Sequence, residues 1–398
     1  MAKKFLQLIA IFLCFILLFV TFSGCINEEK KPEEKNFSII DKNSDQPSKL
    51  PDWEDGFYHD YKATTQLLND YSTKYPEIVD VFSIGKSVNK KDIWCIKITN
   101  ENNFNEKYSC LIDGCIHGCE WEAGEACLYL SEYLITNFGL NKTISNILND
   151  SEIYIVPILN PDGRDDNERW NSNGIDLNRN FDVHFGRIQG CSLPIGKLFG
   201  RIKITHITLP KLLINLGFDK FFRCKVWTNS GKKPFSEPET NALKKLAEDL
   251  DNKRFSFYVN CHTALHGVSS IFEIDRKPEF VATNNEINVL KSSLKWIEEN
   301  TEYMVGYPDV DISFAGAGWA HHWMFKEFRI PSYCFEMLST DYEPGYEGGG
   351  PHNQLVHWMK TTLPVFMYLL FNIEKLYNWN TPDNQPALPE GVPPEPLD

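Results

Sequence analysis

Two hydrophobic periods succeed one another along this chain, one of 3.6 residues and one that is either two or a continuous apolar run. From Tyr61 to Tyr75 apolar residues recur at helical spacing and stop before Pro76, which predicts an amphipathic helix. Strands are predicted at Ile78–Ile84 and Asp92–Ile98, the second following turn residues 89–91. The run YSCLIDGCI, 108–116, reads as a buried strand that stops at His117, and the helical stretch WEAGEACLYLSEYLITNF begins just past Glu120. A second buried strand, SEIYIVPIL at 151–159, closes on the turn signal Asn160-Pro161-Asp162-Gly163. Ser236 to Glu239 reads as a capping box ahead of a helix carried by Leu243, Leu246 and Leu250. FSFYVNC, 255–261, is a third buried strand and ends at His262, Ile287 to Ile297 has helical spacing, and PSYCFE, 331–336, is a short strand with Glu336 at its exit. From His352 to Tyr377 the pattern is helical, tolerating or bending at Pro364. Strand, helix and strand in succession predict an α/β fold, a single domain whose central sheet is mixed, mostly parallel and flanked by helices.

Residues 182–234 show no clear period, and 182–225 are expected to be an irregular insertion. With 398 residues, 42% hydrophobic and 13% aromatic, the chain can fill the core of one large domain. The formal charge of -14, with no basic run to neutralise phosphates, excludes nucleic acid as a partner. Residues 1–25 carry Lys3 and Lys4, then a long apolar run, then Ser-Gly-Cys, the three zones of a secretory signal, so the mature protein is expected to be extracytoplasmic. The ending FSGC resembles the lipobox of lipoproteins, which implies a lipid on Cys25; an uncleaved signal anchor is the alternative, because the apolar run nearly spans a bilayer. Either way the domain is expected to be tethered to a membrane through a polar linker, 26–50, and to end in a Pro-rich tail, 378–398. Of the eleven cysteines, Cys95, Cys110, Cys127, Cys261 and Cys334 sit in apolar runs as small hydrophobes, and Cys191 and Cys224 are the candidates for one bridge.

Working residues of open α/β sheets collect outside the carboxyl ends of strands. His117, His262 and Glu336 are all predicted to stand there, and Glu120 follows His117 at the start of a helix. Imidazole and carboxylate suit zinc, and a catalytic zinc takes three protein ligands and a water. His-x-x-Glu alone is short, and a His at a strand end is commonly a satisfied structural residue.

The segments HGCEW, NPDG, RWNSNGIDLNRNF, KPFSEPET, CHT and IPSYCFE, in that order, resemble the zinc carboxypeptidases of the carboxypeptidase A type, over roughly Tyr58 to Tyr377. The resemblance implies that 51–377 is a catalytic domain that removes single residues from the C-termini of peptides or proteins, with one zinc per chain and a monomeric enzyme. It implies His117, Glu120 and His262 as zinc ligands, Asp176 as the carboxylate orienting His117, and Glu336 as general base. It implies Arg169 as the charge facing the developing oxyanion, and Asn178 with Arg179 as the grip on the substrate's terminal carboxylate. His321 falls where the family sets its preference for the last side chain, and suits acidic or polar ones; the alternative is that Trp319 narrows the pocket to small ones. The chain departs from the pattern twice. Cys119 replaces the arginine before the zinc-ligand Glu, and Phe314 replaces the tyrosine that closes over substrate, keeping the ring and losing a hydroxyl worth about 1 kcal/mol. The competing readings are a related zinc deacylase or amidase acting on small acylated or cell-wall substrates, and a non-catalytic surface binding module.

Overall fold

A computed structural model describes residues 48–51, 53, 58–186, 229–263, 267–270, 282–301, 303–306, 318–337 and 352–379. Its centre is an eight-stranded sheet: β1 Val79–Lys86, β2 Asp92–Ile98, β3 Tyr108–Asp113, β4 Ser151–Val156, β5 Phe255–Thr263, β6 Gly267–Ser269, β7 Met304–Gly306 and β8 Ser332–Met337. The spatial order is β1-β2-β4-β3-β5-β8-β6-β7. The middle of the sheet, β4-β3-β5-β8, is parallel throughout. Antiparallel pairs flank it on both sides, with β6 and β7 parallel at one edge. The expected mixed, mostly parallel sheet is therefore present.

Alternation along the strands sends side chains to two separate cores. Cys110, Ile112, Ile153, Ile155, Phe257, Val259, Cys261, Tyr333 and Phe335 share one face with residues of helices α2 (Trp121–Asn137), α6 (Asn284–Asn300) and α8 (His352–Phe371). Leu111, Tyr154, Val156 and Tyr258 face the other way, against α5 (Pro238–Asp251) and α7 (Ala320–Phe328). Both faces are buried, which is why the central strands read as continuous apolar runs rather than as alternating ones. The remaining helices are α1 (Tyr61–Lys74), α3 (Lys142–Asp150), α4 (Pro161–Asp166) and α9 (Ile373–Tyr377).

Several boundaries differ from the sequence pattern. β3 stops at Asp113 rather than running to His117, because Gly114 turns the chain so close to Ala123 and Pro157 that no side chain fits. Cys115 and Ile116 are buried as loop. The NPDG turn is the first turn of α4: the Asn160 side chain accepts from Gly163 N–H and Pro161 stands at the first helical position. The Ser236 capping box does not form. Glu237 is the cap residue, Ser236 Oγ bonds the Glu237 carboxylate, and Glu239 points inward to Val88 N–H and Asn171. α8 runs through Pro364 and ends at Phe371, where the Asn372 amide donates to the Tyr368 carbonyl. α3 and the three-residue strands β6 and β7 lay outside the predicted elements; three residues are too few to show a period.

The seven cysteines among the described residues are all free. Cys191, Cys224, Phe314, Cys25, most of the linker and insertion, and nearly all of the tail lie outside the described residues. No helix among the described residues is long and apolar enough to cross a membrane.

The segment before α1 is fastened by a buried ion cluster. The Glu125 carboxylate, fully buried, accepts from His59 N–H and from Arg164, and lies 2.7 Å from the His59 ring. Burial of His59 opposes its charge, but the bond to Glu125 and that carboxylate's charge outweigh it, so the imidazole pKa rises above 6.5. A raised folded-state value means that the stabilisation is complete below 6.5 and is lost as pH rises through the folded value. His59→Gln should therefore lower the thermal midpoint most at the acid end of a scan from about pH 5.5 to about pH 9, with the gap to wild type shrinking upward. Calorimetry of the two proteins with zinc saturating checks this, and a gap that widens with pH would refute it.

Candidate metal centre

The centre is assembled by a loop, a helix start and a strand. In the loop 114–120, Gly118 lies against α4 so tightly that an added Cβ would sit 2.0 Å from the Gly163 carbonyl carbon. That contact fixes His117, and Glu120 follows at the cap position of α2. His262 is the penultimate residue of β5, within the strand rather than beyond it. The three side chains offer donor atoms that all lie within 4.8 Å of one another. Each imidazole Nδ1 is 2.7 Å from one oxygen of Glu120.

The outer nitrogens of both rings are engaged elsewhere. His117 Nε2 lies 3.0 Å from Asp176, a buried carboxylate at the head of a 3-10 turn, Leu177–Arg179. Asp176 also accepts from Arg169 Nε at 3.0 Å, and Arg169 reaches to 3.5 Å of Glu120. His262 Nε2 lies 2.5 Å from Asn260 Oδ1 and 3.1 Å from Asn178 Nδ2. With Nε2 spent, each ring turns Nδ1 toward the shared centre, the arrangement in which an imidazole binds a metal.

Burial works against both carboxylates, yet the neighbouring cations win. The charges and bonds of His117 and His262 hold Glu120 well below the usual carboxylate range, and Arg169, Arg179 and His117 do the same for Asp176. His262 is lowered, chiefly by its burial. Two neutral-capable imidazoles and an ionised carboxylate, preset at these distances, fit one zinc ion.

Glu336 is the register partner of His262 across the parallel β5–β8 pair, so the two side chains leave the same face of the sheet side by side. Like His262 it lies one residue inside its strand's end. Burial and the charge of Glu120 push its carboxyl up to about 8, against the pull of Arg169 and Arg179. Asn178 is buried, with Oδ1 accepting from Ala320 N–H at the start of α7. Arg179 donates to the Asn178 carbonyl and faces the Trp319 ring, and its buried Nε has no partner among the described residues. His321 is fully buried on α7 beside Trp319 and His322, and neither ring nitrogen finds a hydrogen-bond partner among the described residues. Cys119 is half-buried, and burial, with Glu120's charge, pushes its thiol up to about 12, so it brings no charge to the centre. Asp113 and Asn260 carry no recognisable motif; strand period alone places Asn260 on the face of His262.

A His-Glu-His donor set beside a carboxylate, the single such set among the described residues and placed at the carboxyl edge of a mostly parallel sheet, is the arrangement of a one-metal hydrolase. The zinc carboxypeptidase family matches residues 64–199 and 217–350, and the chain belongs to that family. It is thus a hydrolase, a zinc-dependent metallocarboxypeptidase acting on peptides. Among its relatives is carboxypeptidase O of Bos taurus, 24% identical over 387 residues, covering 92% of each chain. Carboxypeptidase D of Anas platyrhynchos is 32% identical over 146 residues, which is 33% of this chain and only 10% of that one. The fold is shared with thrombin-activatable fibrinolysis inhibitor, TM-score 0.62 at 18% identity, covering 85% of this chain and 79% of that one. It is shared also with a carboxypeptidase A from Helicoverpa armigera, TM-score 0.56 at 18% identity, covering 80% and 75%.

The purified protein should contain about one zinc per chain by elemental analysis, the usual stoichiometry of a three-ligand catalytic site. Glu120→Ala should weaken that binding by at least about a hundredfold in chelator competition while the far-ultraviolet dichroism stays that of the wild type. Unchanged zinc content in Glu120→Ala would exclude this centre.

Proposed function

We propose that the enzyme is a C-terminal exopeptidase that releases one residue at a time, with His117, Glu120 and His262 as the zinc ligands and Asp176 orienting His117. The unspent Nε–H of Arg179, beside Asn178 and the metal centre, carries this reading. A guanidinium whose buried Nε lacks a partner needs an anion, and a peptide's terminal carboxylate supplies one with matching planar geometry. When bound, zinc supplies Lewis acidity, polarising the scissile carbonyl and lowering the pKa of water to about 7.

The protein's own groups do the rest. Glu336 takes the proton of the attacking water and passes it to the leaving amine; its neighbour His262 in register supports that placement. Arg169, held by Asp176 at 3.0 Å, offers a fixed positive charge to the carbonyl oxygen as negative charge develops there. His321 receives the departing side chain. Burial and the adjacent His322 hold its ring well below 6.5, so it stays neutral and suits an uncharged hydrogen-bonding side chain over an acidic one. By its place in the sequence, Phe314 would offer substrate an aromatic ring without a hydroxyl.

The tether belongs to the same proposal. The three zones of residues 1–25, the FSGC ending and the polar stretch 26–50 support a tethered enzyme, read as a monomer whose catalytic domain is 51–377, with an insertion at 182–225 and a Pro-rich tail from 378. It would be held at the outer face of a membrane by a lipid on Cys25 or by an uncleaved anchor.

Glu336→Gln should retain zinc and lose at least about a hundredfold in kcat, since general base catalysis contributes that much. Normal turnover by this variant would reassign the base. Arg179→Met should raise KM by roughly tenfold to a hundredfold for peptides with a free terminal carboxylate, the loss of one charge-assisted pair. It should also erase the discrimination against C-terminally amidated peptides, as followed by mass spectrometry. Equal KM in the two proteins would defeat the assignment of the grip.

A further inference from the structure

Beneath the metal centre lies a polar chain that the catalytic roles do not absorb. Asp113 is the last residue of β3, fully buried, and Asn260 is its register partner on β5. Asn260 Nδ2 donates to Asp113 Oδ1 at 2.5 Å, and Tyr258 Oη donates to Asp113 Oδ2 through a short bond. Two residues along the same face, Asn260 Oδ1 meets His262 Nε2 at 2.5 Å.

His262 Nε2 touches two amides that ask opposite things of it. Asn178 is pinned by Ala320 N–H on its oxygen, so it turns its NH2 toward Nε2. If that NH2 donated, Nε2 would be the acceptor, the ring proton would sit on Nδ1, and Nδ1 could not bind a metal. Asn260 decides the contest. An ionised Asp113 has no hydrogen to give, so the Asn260 atom facing it must be nitrogen and the atom facing His262 must be oxygen. That oxygen can only accept, so Nε2 carries a proton; Nδ1, 2.7 Å from the Glu120 carboxylate, can then give up any proton of its own to an arriving cation and present its lone pair. Asn178 N–H then faces another N–H and stays unspent, free for an acceptor on the substrate.

We infer that Asp113, acting through Asn260, is a positioning residue that fixes the orientation and tautomer of His262 for metal binding, as Asp176 does for His117. The inference rests on His262 being a metal ligand. It makes two adjacent strands, not one motif, responsible for the second imidazole. Burial pushes the Asp113 carboxyl up to about 7, so the tests belong at about pH 8, where it is ionised.

The first measurement is zinc affinity by competition with a chromophoric chelator; the second is the imidazole nitrogen-15 spectrum of metal-free protein labelled at histidine. Wild type should bind about one zinc, with the His262 proton on Nε2. Asp113→Asn keeps the shape but lets the Asn260 amide turn, so zinc affinity should fall by about tenfold to a hundredfold, with the proton leaving Nε2 for Nδ1, which faces Glu120. Exchanging the pair, Asp113→Asn with Asn260→Asp, restores an acceptor for Nε2–H and a donor behind it, and should recover affinity to within about threefold of wild type. A purely structural role would lower the thermal midpoint and leave both readouts unchanged. Should Asp113→Asn fail to fold, Asn260→Leu tests the same link and should show the same loss of affinity. Affinity within about twofold of wild type in the folded single variant, with the proton still on Nε2, overturns the inference. Absence of zinc from wild type instead overturns the ligand assignment on which it rests.

Discussion

The parallel register of β3, β5 and β8 is the constraint on which the rest of this molecule depends. Asp113 stands against Asn260, and His262 against Glu336, all on the face that looks toward α5 and α7. A slip of one residue on β5 would turn His262 and Asn260 into the apolar core occupied by Phe257, Val259 and Cys261. That outcome is costly twice over, since it buries two polar side chains without partners and takes Phe257, Val259 and Cys261 out of the core they fill. Hydrophobic burial on both faces of the sheet therefore sets the positions of the polar groups at its edge.

The polar groups in turn neutralise one another. Glu120 and Asp176 are carboxylates in a nearly dry site, where an unpaired charge is prohibitive. Arg169 bridges them, Arg179 adds a second guanidinium, and each imidazole faces a carboxylate. Because those partners are held by separate elements, a loop at 114–120, a 3-10 turn at 177–179 and a strand at 255–263, the centre is preorganised rather than gathered by its ligand. The Gly118–Gly163 contact does the same for the loop, and only residues without a side chain permit that approach.

Most of this was legible in the sequence wherever one period dominated over six or more residues. β5, α1 and the strand into the His117 loop were readable for that reason, as were the donors His117, Glu120 and His262, which sit at or beside the ends of such runs. The reading failed where burial and secondary structure part company. Cys115 and Ile116 are as apolar as the strand before them, but they fill a loop core after the Gly114 turn. Ser236 and Glu239 have the spacing of a capping box, yet tertiary bonds to Asn171 and Val88 claim Glu239. Asp113 and Asn260 were invisible because their meaning is a cross-strand pairing 147 residues apart in sequence, which no local pattern records.

The same electrostatics that assemble the centre also set the charge of Glu336. Its proton is retained by burial and by the negative charge of Glu120, while Arg169 and Arg179 pull the other way. Once Glu120 is committed to a cation it ceases to act as a repelling charge, and the two guanidiniums become the nearest uncompensated influence on Glu336. On the proposed assignments, loading of the site would lower the pKa of Glu336 by removing one of the two influences that raise it, burial being the other and the larger. Glu120 lies against His262, and Glu336 stands in register with His262, so the charge of one carboxylate bears on the other without any movement of the fold.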